Sequence, residues 1–165
     1  MSSPAQLPPF IEPIDGEIAE VAGNLSEGNF MDDLSWAWNS SVACFPETQK
    51  DKFTGHHVLY STELPRYSEM EVTVIPDDPR ANFSIYAYQI GATNESAIVP
   101  YLPRCVRCEV DHEWDGPRRG YTQDHTRTAT HLVATRNPYR VIIGVVGANG
   151  LAEGSYRLQV KLHIR

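Results

Sequence analysis

Cys105-Val-Arg-Cys108 followed by His112 places two thiols and an imidazole within eight residues. Thiolate and imidazole are soft ligands suited to tetrahedral zinc or to copper. Cys44 is the third cysteine and can approach them in space. No second Cys-x-x-Cys or His-x3-His pair completes such a set, so two readings compete. One is a metal-binding protein or metal-dependent enzyme using Cys105, Cys108, His112 and His125. The other is a disulfide, either within the pair or from Cys44 to one of its members, which leaves one thiol over. A redox-active dithiol is disfavoured, because it usually opens a helix beside a βαβ pattern and none is evident.

Around this motif gather further acids and imidazoles: Asp111, His112, Glu113, Asp115, Asp124, His125 and His131. Such groups offer a general base or metal ligands. They equally make a solvated loop whose acids pair with Arg118, Arg119 and Arg127. No G-x-S-x-G or H-E-x-x-H motif accompanies them. The expectation is therefore a chain without catalytic residues and without a cofactor, a structural metal ion being the alternative. The aromatic side chains Tyr86, Tyr88, Tyr101 and Trp114, with Trp36 and Trp38, are suited to stacking on a sugar ring or to contacting a protein. The competing role is ordinary core packing. His56-His57 within a strand puts one ring on each face, one packed and one exposed.

The elements that must position these residues read as strands. Tyr156, Leu158, Val160, Leu162 and Ile164 alternate with Ser155, Arg157, Gln159, Lys161 and His163, a period of two over ten residues. Asn137 to Val146 reads as a buried strand before it, and the glycine-rich turn Gly147–Gly154 joins them as a closing pair. Upstream, His56–Thr62, Glu69–Ile75 and Asn82–Ile90 read as strands. The last two form an antiparallel pair across the turn Pro76-Asp-Asp-Pro79. Ser35–Cys44 is a candidate first strand with Trp36 and Trp38 on one face, and Thr130–Thr135 is a later one. Residues 91–128 form a long irregular insert, where binding residues often sit. Gly16–Leu34 spaces Ile18, Val21 and Leu25 like a helical turn or two. Seven or eight short strands with turn signals between them argue for an all-β chain: an antiparallel β-sandwich of jelly-roll type. Residues 1–34 form a long acidic, proline-containing N-terminal arm, and residues 35–165 the sandwich.

The 165 residues suffice for one core, and 41% of them are hydrophobic. No apolar run approaches the ~20 residues of a membrane helix, so no membrane span is expected. Residues 1–55 carry nine acids against two lysines, so the whole net charge of −7 lies in the first third. No basic stripe outweighs the acids, which disfavours nucleic acid as a partner. The start has no basic n-region or apolar h-region, and its Pro4, Pro8, Pro9 and Pro13 resemble a linker after signal removal. Four of the seven asparagines begin sequons: Asn24, Asn39, Asn82 and Asn94. In a eukaryotic secreted protein these would mark surface loops.

The order of parts resembles the bacterial pre-peptidase C-terminal domain family, over about residues 56–164. The matching residues are Val58–Tyr60, Leu64-Pro65, Met70–Ile75, Phe83–Tyr88, Tyr139–Gly147 and Gly154–Val160, the closing pair being the most telling. The resemblance implies a small β-sandwich that is an accessory to secreted enzymes and surface proteins and is not itself catalytic. The family often carries acids before the Leu-Tyr strand, sometimes as a calcium site. Here Asp77 and Asp78 are followed by Pro79-Arg80-Ala81-Asn82, and the cysteine pair lies outside the family pattern. The expected function is a non-catalytic exported or cell-surface module, extracellular or periplasmic, acting in binding, attachment or assembly. Its partners would be a protein, a carbohydrate, or a second copy reached through the arm, where Phe10, Ile11, Ile14 and Ile18 would add to a neighbour's sheet edge. A cytoplasmic interaction domain is the reading that follows if Met1 is the native start and all thiols are reduced.

Overall fold

Period-two alternation and β-branched or aromatic residues drive eight segments into strands. In the computed structural model, which describes residues 8–31, 34, 37, 45, 47–91, 107–113 and 125–165, they are β1 (Ile18–Asn24), β2 (His57–Leu64), β3 (Ser68–Pro76), β4 (Phe83–Gly91), β5 (Arg107–Asp111), β6 (Arg127–Ala134), β7 (Tyr139–Gly147) and β8 (Ser155–Ile164). They make two four-stranded antiparallel sheets, β1-β8-β3-β6 (sheet 1) and β2-β7-β4-β5 (sheet 2). The chain is an all-β sandwich, as the alternation and the resemblance both implied.

Almost every connection changes sheet. Among the described strands, only β4 and β5 follow one another and are hydrogen-bonded to each other. Two expectations are thereby corrected. Residues 69–75 and 82–90 do form strands, but β3 pairs with β6 and β8, while β4 pairs with β5 and β7. Likewise β7 and β8, read as a closing pair, lie in opposite sheets. Alternation tells which side chains share a face. It does not tell whether the next strand folds back beside its predecessor or crosses over the core.

That core is built from the inward residues of both sheets. Met70, Val72, Val74, Leu158, Val160 and Leu162 of sheet 1 meet Phe83, Ile85, Ala87, Val141, Ile143 and Val145 of sheet 2. The hydroxyls of Tyr60 and Tyr156 meet across it at 2.7 Å. Burial raises the pKa of both phenols, so both stay neutral, one donating to the other.

The N-terminal residues are stitched into this frame. Ile11 N–H donates to Ser61 O and Ser61 N–H to Pro9 O along the edge of β2, and Gly16 N–H donates to Leu162 O of β8. β1 then pairs with β8 from Ile18↔Lys161 to Asn24↔Ser155. Residues 18–24 are thus a strand, not a helical turn. The short 3₁₀ segment Leu25–Glu27 follows, with Asn24 and Glu27 forming a capping box. Of the segment 35–44, read as a first strand, Ala37 is described and its N–H donates to Leu34 O; the rest, Trp36 and Trp38 included, lies outside the described residues.

The opposite seam is closed by side chains. Asp111 accepts from Thr128 N–H at 2.9 Å, Arg107 donates to His131 O at 2.6 Å, and Gln89 donates to Val133 O at 2.9 Å. These bonds occupy main-chain groups of β6, which lies at the end of sheet 1, and so blunt its edge. Between Met70↔Leu132 and Val72↔Ala129 two β6 residues oppose one of β3. This is a β-bulge, with His131 at φ 66°.

Candidate functional site

The two sheets present different outer faces. That of sheet 2 carries Tyr86, Tyr88 and Ile90 from β4 and Ile142 and Val146 from β7. It is covered by Phe45 and by the 3₁₀ segment Glu47–Phe53. Phe53 is fully buried and stacks on Phe45 at 3.7 Å between ring centroids. β4 is therefore buried on both faces, which corrects the expectation for Tyr86 and Tyr88. They do share a tyrosine-rich face, but both are 0% exposed and neither offers a binding surface.

Tyr86 lies across Gly144, its register partner on β7, where an added Cβ would sit 2.0 Å from the ring. Its hydroxyl donates to His57 Nδ1 (3.1 Å), and His57 Nε2–H donates to Phe53 O (2.9 Å). The imidazole is thus a neutral tautomer with both nitrogens in use. Burial lowers its pKa to about 4 despite the bond to Phe53 O, with His56 nearby acting in the same direction. This chain of groups ties the cover to the sheet. His56 is half-buried, and its Nδ1–H donates to Leu25 O at 2.8 Å.

The insert is rooted at one end of sheet 2 by a second polar network. Glu113 accepts from Asn82 Nδ2 (3.0 Å) and faces Lys52 Nζ at 3.6 Å. Arg127 is 2% exposed; it donates to Phe83 O (2.7 Å), Asn82 Oδ1 (3.2 Å) and His125 Nδ1 (2.8 Å). His112 Nδ1–H donates to Glu113 O, and its ring packs edge-on to Phe53. The structure thus gathers Asp111, His112, Glu113, His125 and Arg127 in one region, and it engages them in holding β4, β5, β6 and the cover together. His125 has one ring nitrogen committed to Arg127. Among the described residues no three His, Cys, Asp or Glu side chains cluster as a metal site. Cys44, Cys105, Tyr101 and Trp114 lie outside the described residues. Cys108 sits half-buried on β5, against the covered cluster. That strand was missed within the insert, although Cys108 and Val110 alternate there with Arg107, Glu109 and Asp111.

At the turn where the resemblance placed acids, Asp78 accepts from Arg80 N–H (2.9 Å) and from its guanidinium (3.2 Å to each oxygen). The guanidinium bonds hold the Asp78 carboxyl below its usual range. An arginine cation stands on the carboxylate that a calcium ion would need. The sequon Asn82 donates its amide nitrogen to Glu113, and Asn24 Oδ1 accepts from Ser26 and Gly154 N–H. Both serve the fold.

The outer face of sheet 1 is open by contrast. Glu20, Gln159, Thr73 and Thr128 form one row across its strands. Gln159 bonds Glu20 at 2.8 Å, and the two threonine hydroxyls meet at 3.0 Å. Beside it run Ile18, Lys161 and Glu71, then His163 and Glu69, the latter bonded to Arg165 at 2.9 Å. A groove of about 400 Å³ is lined by Glu69, Glu71, Lys161 and His163, with Met70 and Leu162. This mixed-charge surface is the accessible candidate site, and no motif marked it. The polar half of the β8 alternation was the signal that pointed to it.

No protein-family model matches the chain, and no curated protein matches it. Two solved structures are similar in fold. The pre-peptidase C-terminal domain of collagenase from Bacillus anthracis shares 12% identity, covering 97% of this chain and 100% of that one, with a TM-score of 0.47. CorA, a surface-associated copper-binding protein important in copper acquisition by Methylomicrobium album BG8, shares 11% identity over 96% and 98%, with a TM-score of 0.48.

Proposed function

We propose that this chain is a non-catalytic, exported surface module that contacts a protein or carbohydrate through the outer face of sheet 1. One observation carries the reading: of the two outer faces, sheet 2's is sealed by the cover, while sheet 1's is an open polar surface with a groove. The reading also draws on the use of His57, His112, His125, Asp111, Glu113 and Arg127 in structural bonds. Contact is assigned to the sheet face rather than to the arm, because Pro9, Ile11 and Gly16 spend main-chain groups within their own chain.

Export goes with the disulfide reading of the cysteines, in which we assign Cys108 as one member. Phe45, the residue after Cys44, belongs to the same buried cluster that Cys108 packs against. This favours Cys44 over Cys105 as its partner. The test is expression with the native upstream sequence, followed by fractionation and a non-reducing peptide map. Recovery in the exported or surface fraction, with Cys44 and Cys108 peptides linked, supports the reading. Retention in the cytoplasm with three reduced thiols overturns it. The contact face is tested by Lys161→Glu combined with Glu71→Lys: attachment to the producing cell's surface falls if the face is used and is unchanged if it is not.

A further inference from the structure

The turn between β7 and β8 holds the dipeptide Asn149-Gly150, with φ 52° and 79°. Leu151 N–H donates to Ala148 O at 3.0 Å, so this is a type I′ turn, which asks for positive φ at both central residues. Both residues are exposed. Asn-Gly is also the dipeptide in which a backbone nitrogen is least hindered from attacking the preceding side-chain amide, since glycine has no Cβ to block it.

The turn is clamped to the cover of sheet 2. Asn149 N–H donates to Asp51 O at 2.7 Å. Gly150 N–H donates to Thr54 Oγ1 at 3.0 Å, and that hydroxyl donates in turn to Asp51 O at 3.2 Å. Gly55 N–H donates to Gly147 O at 2.8 Å, and His56 N–H to Leu151 O at 3.0 Å. A Cβ at Gly55 would lie 2.1 Å from Leu151 O, so the two segments touch backbone to backbone.

We propose that Asn149-Gly150 is a latent modification site for succinimide formation, held shut by the hydrogen bond from Gly150 N–H to Thr54. In the reaction Gly150 N gives its proton to hydroxide and attacks Asn149 Cγ. The new C–N bond closes the ring, and the side-chain NH2 takes a proton from water, regenerating hydroxide, and leaves as ammonia. Water then opens the succinimide to aspartate or isoaspartate. The clamp opposes the first step, because the Gly150 proton is committed to Thr54 and the nitrogen is aimed at that hydroxyl rather than at Asn149 Cγ. Isoaspartate adds a methylene to the main chain. It therefore cannot keep the I′ turn together with the bonds to Asp51 and Thr54, and the cover loses its anchor on the β7–β8 turn.

The experiment follows the mass gain and ammonia loss at Asn149 by peptide mapping at mildly alkaline pH. It compares the native chain folded and in urea, Thr54→Val, and Thr54→Ser, the variants being confirmed folded by circular dichroism. The folded native chain is expected to react far more slowly than the unfolded one. Thr54→Val is expected to react about tenfold faster than native, the factor that the loss of one hydrogen bond gives, and Thr54→Ser to restore the native rate. A folded native chain that reacts as fast as in urea overturns the proposal. So does a Thr54→Val rate within twofold of native. The comparison of folded and unfolded native protein stands even if Thr54→Val fails to fold.

Discussion

The outer faces of the two sheets begin from the same kind of strand and end in opposite states. On sheet 1, outward Arg157, Lys161 and His163 are exposed and Gln159 is half-buried; Gln159 bonds the exposed Glu20, and Arg165 at the strand's end bonds the half-buried Glu69. On sheet 2, outward Tyr86, Tyr88, Ile142 and Val146 are fully or nearly fully buried beneath Phe45 and Phe53. A solvated face keeps its charges cheaply and can change partners. A covered face must satisfy each polar atom internally, as His57 and Tyr86 do. The second face thus serves stability, and the first is left available for the contact proposed above.

That contrast is broken most directly at Phe53. Phe53→Ala removes a fully buried ring from the cover and is expected to cost about 3–5 kcal/mol, by urea denaturation. If the loss is under ~1 kcal/mol, the cover is not a second core.

The next largest effect is one of pH. A histidine whose folded pKa lies near 4 against an unfolded value near 6.5 binds its proton more readily when unfolded. Its contribution is fully present above about pH 6.5 and is lost as pH falls toward 4, on the order of 3 kcal/mol in all. His57→Gln should flatten the stability profile across that window. An unaltered slope would place the titration elsewhere.

Gly144→Ala forces a Cβ into the Tyr86 ring and is expected to destabilise by about 1–3 kcal/mol; the shift of the thermal midpoint measures it. On the open face, Thr73→Ala breaks a half-buried hydroxyl pair. It should change stability by no more than ~0.5 kcal/mol. A larger cost there would mean that sheet 1's outer surface is also structural, and would weaken its assignment as the contact face.

Much of the frame was legible in the residues. Strand signals placed β3, β4, β7 and β8 to within about two residues, and the alternation in β8 sorted Leu158 and Val160 to one side. In β4 the period of two puts Tyr86 and Tyr88 on a face apart from Phe83 and Ile85. The site was less legible. The groove residues Glu69, Glu71, Lys161 and His163 come from two strands about ninety positions apart, and no local spacing joins them. The cysteine and histidine motif, which looked most like chemistry, has its described members engaged in packing and hydrogen bonds.

The sequence by itself determined the class, most of the strands though not β1 or β5, and the division of those strands into two faces, because side-chain direction along an extended chain is a local property with a period of two. Only the tertiary structure decided which strands pair and which outward face meets water. Both depend on contacts between distant segments: β3 pairs with β8 rather than β4, and Phe53 closes over Tyr86. Such choices are made by the burial of whole surfaces against one another, and no window of neighbouring residues contains that information.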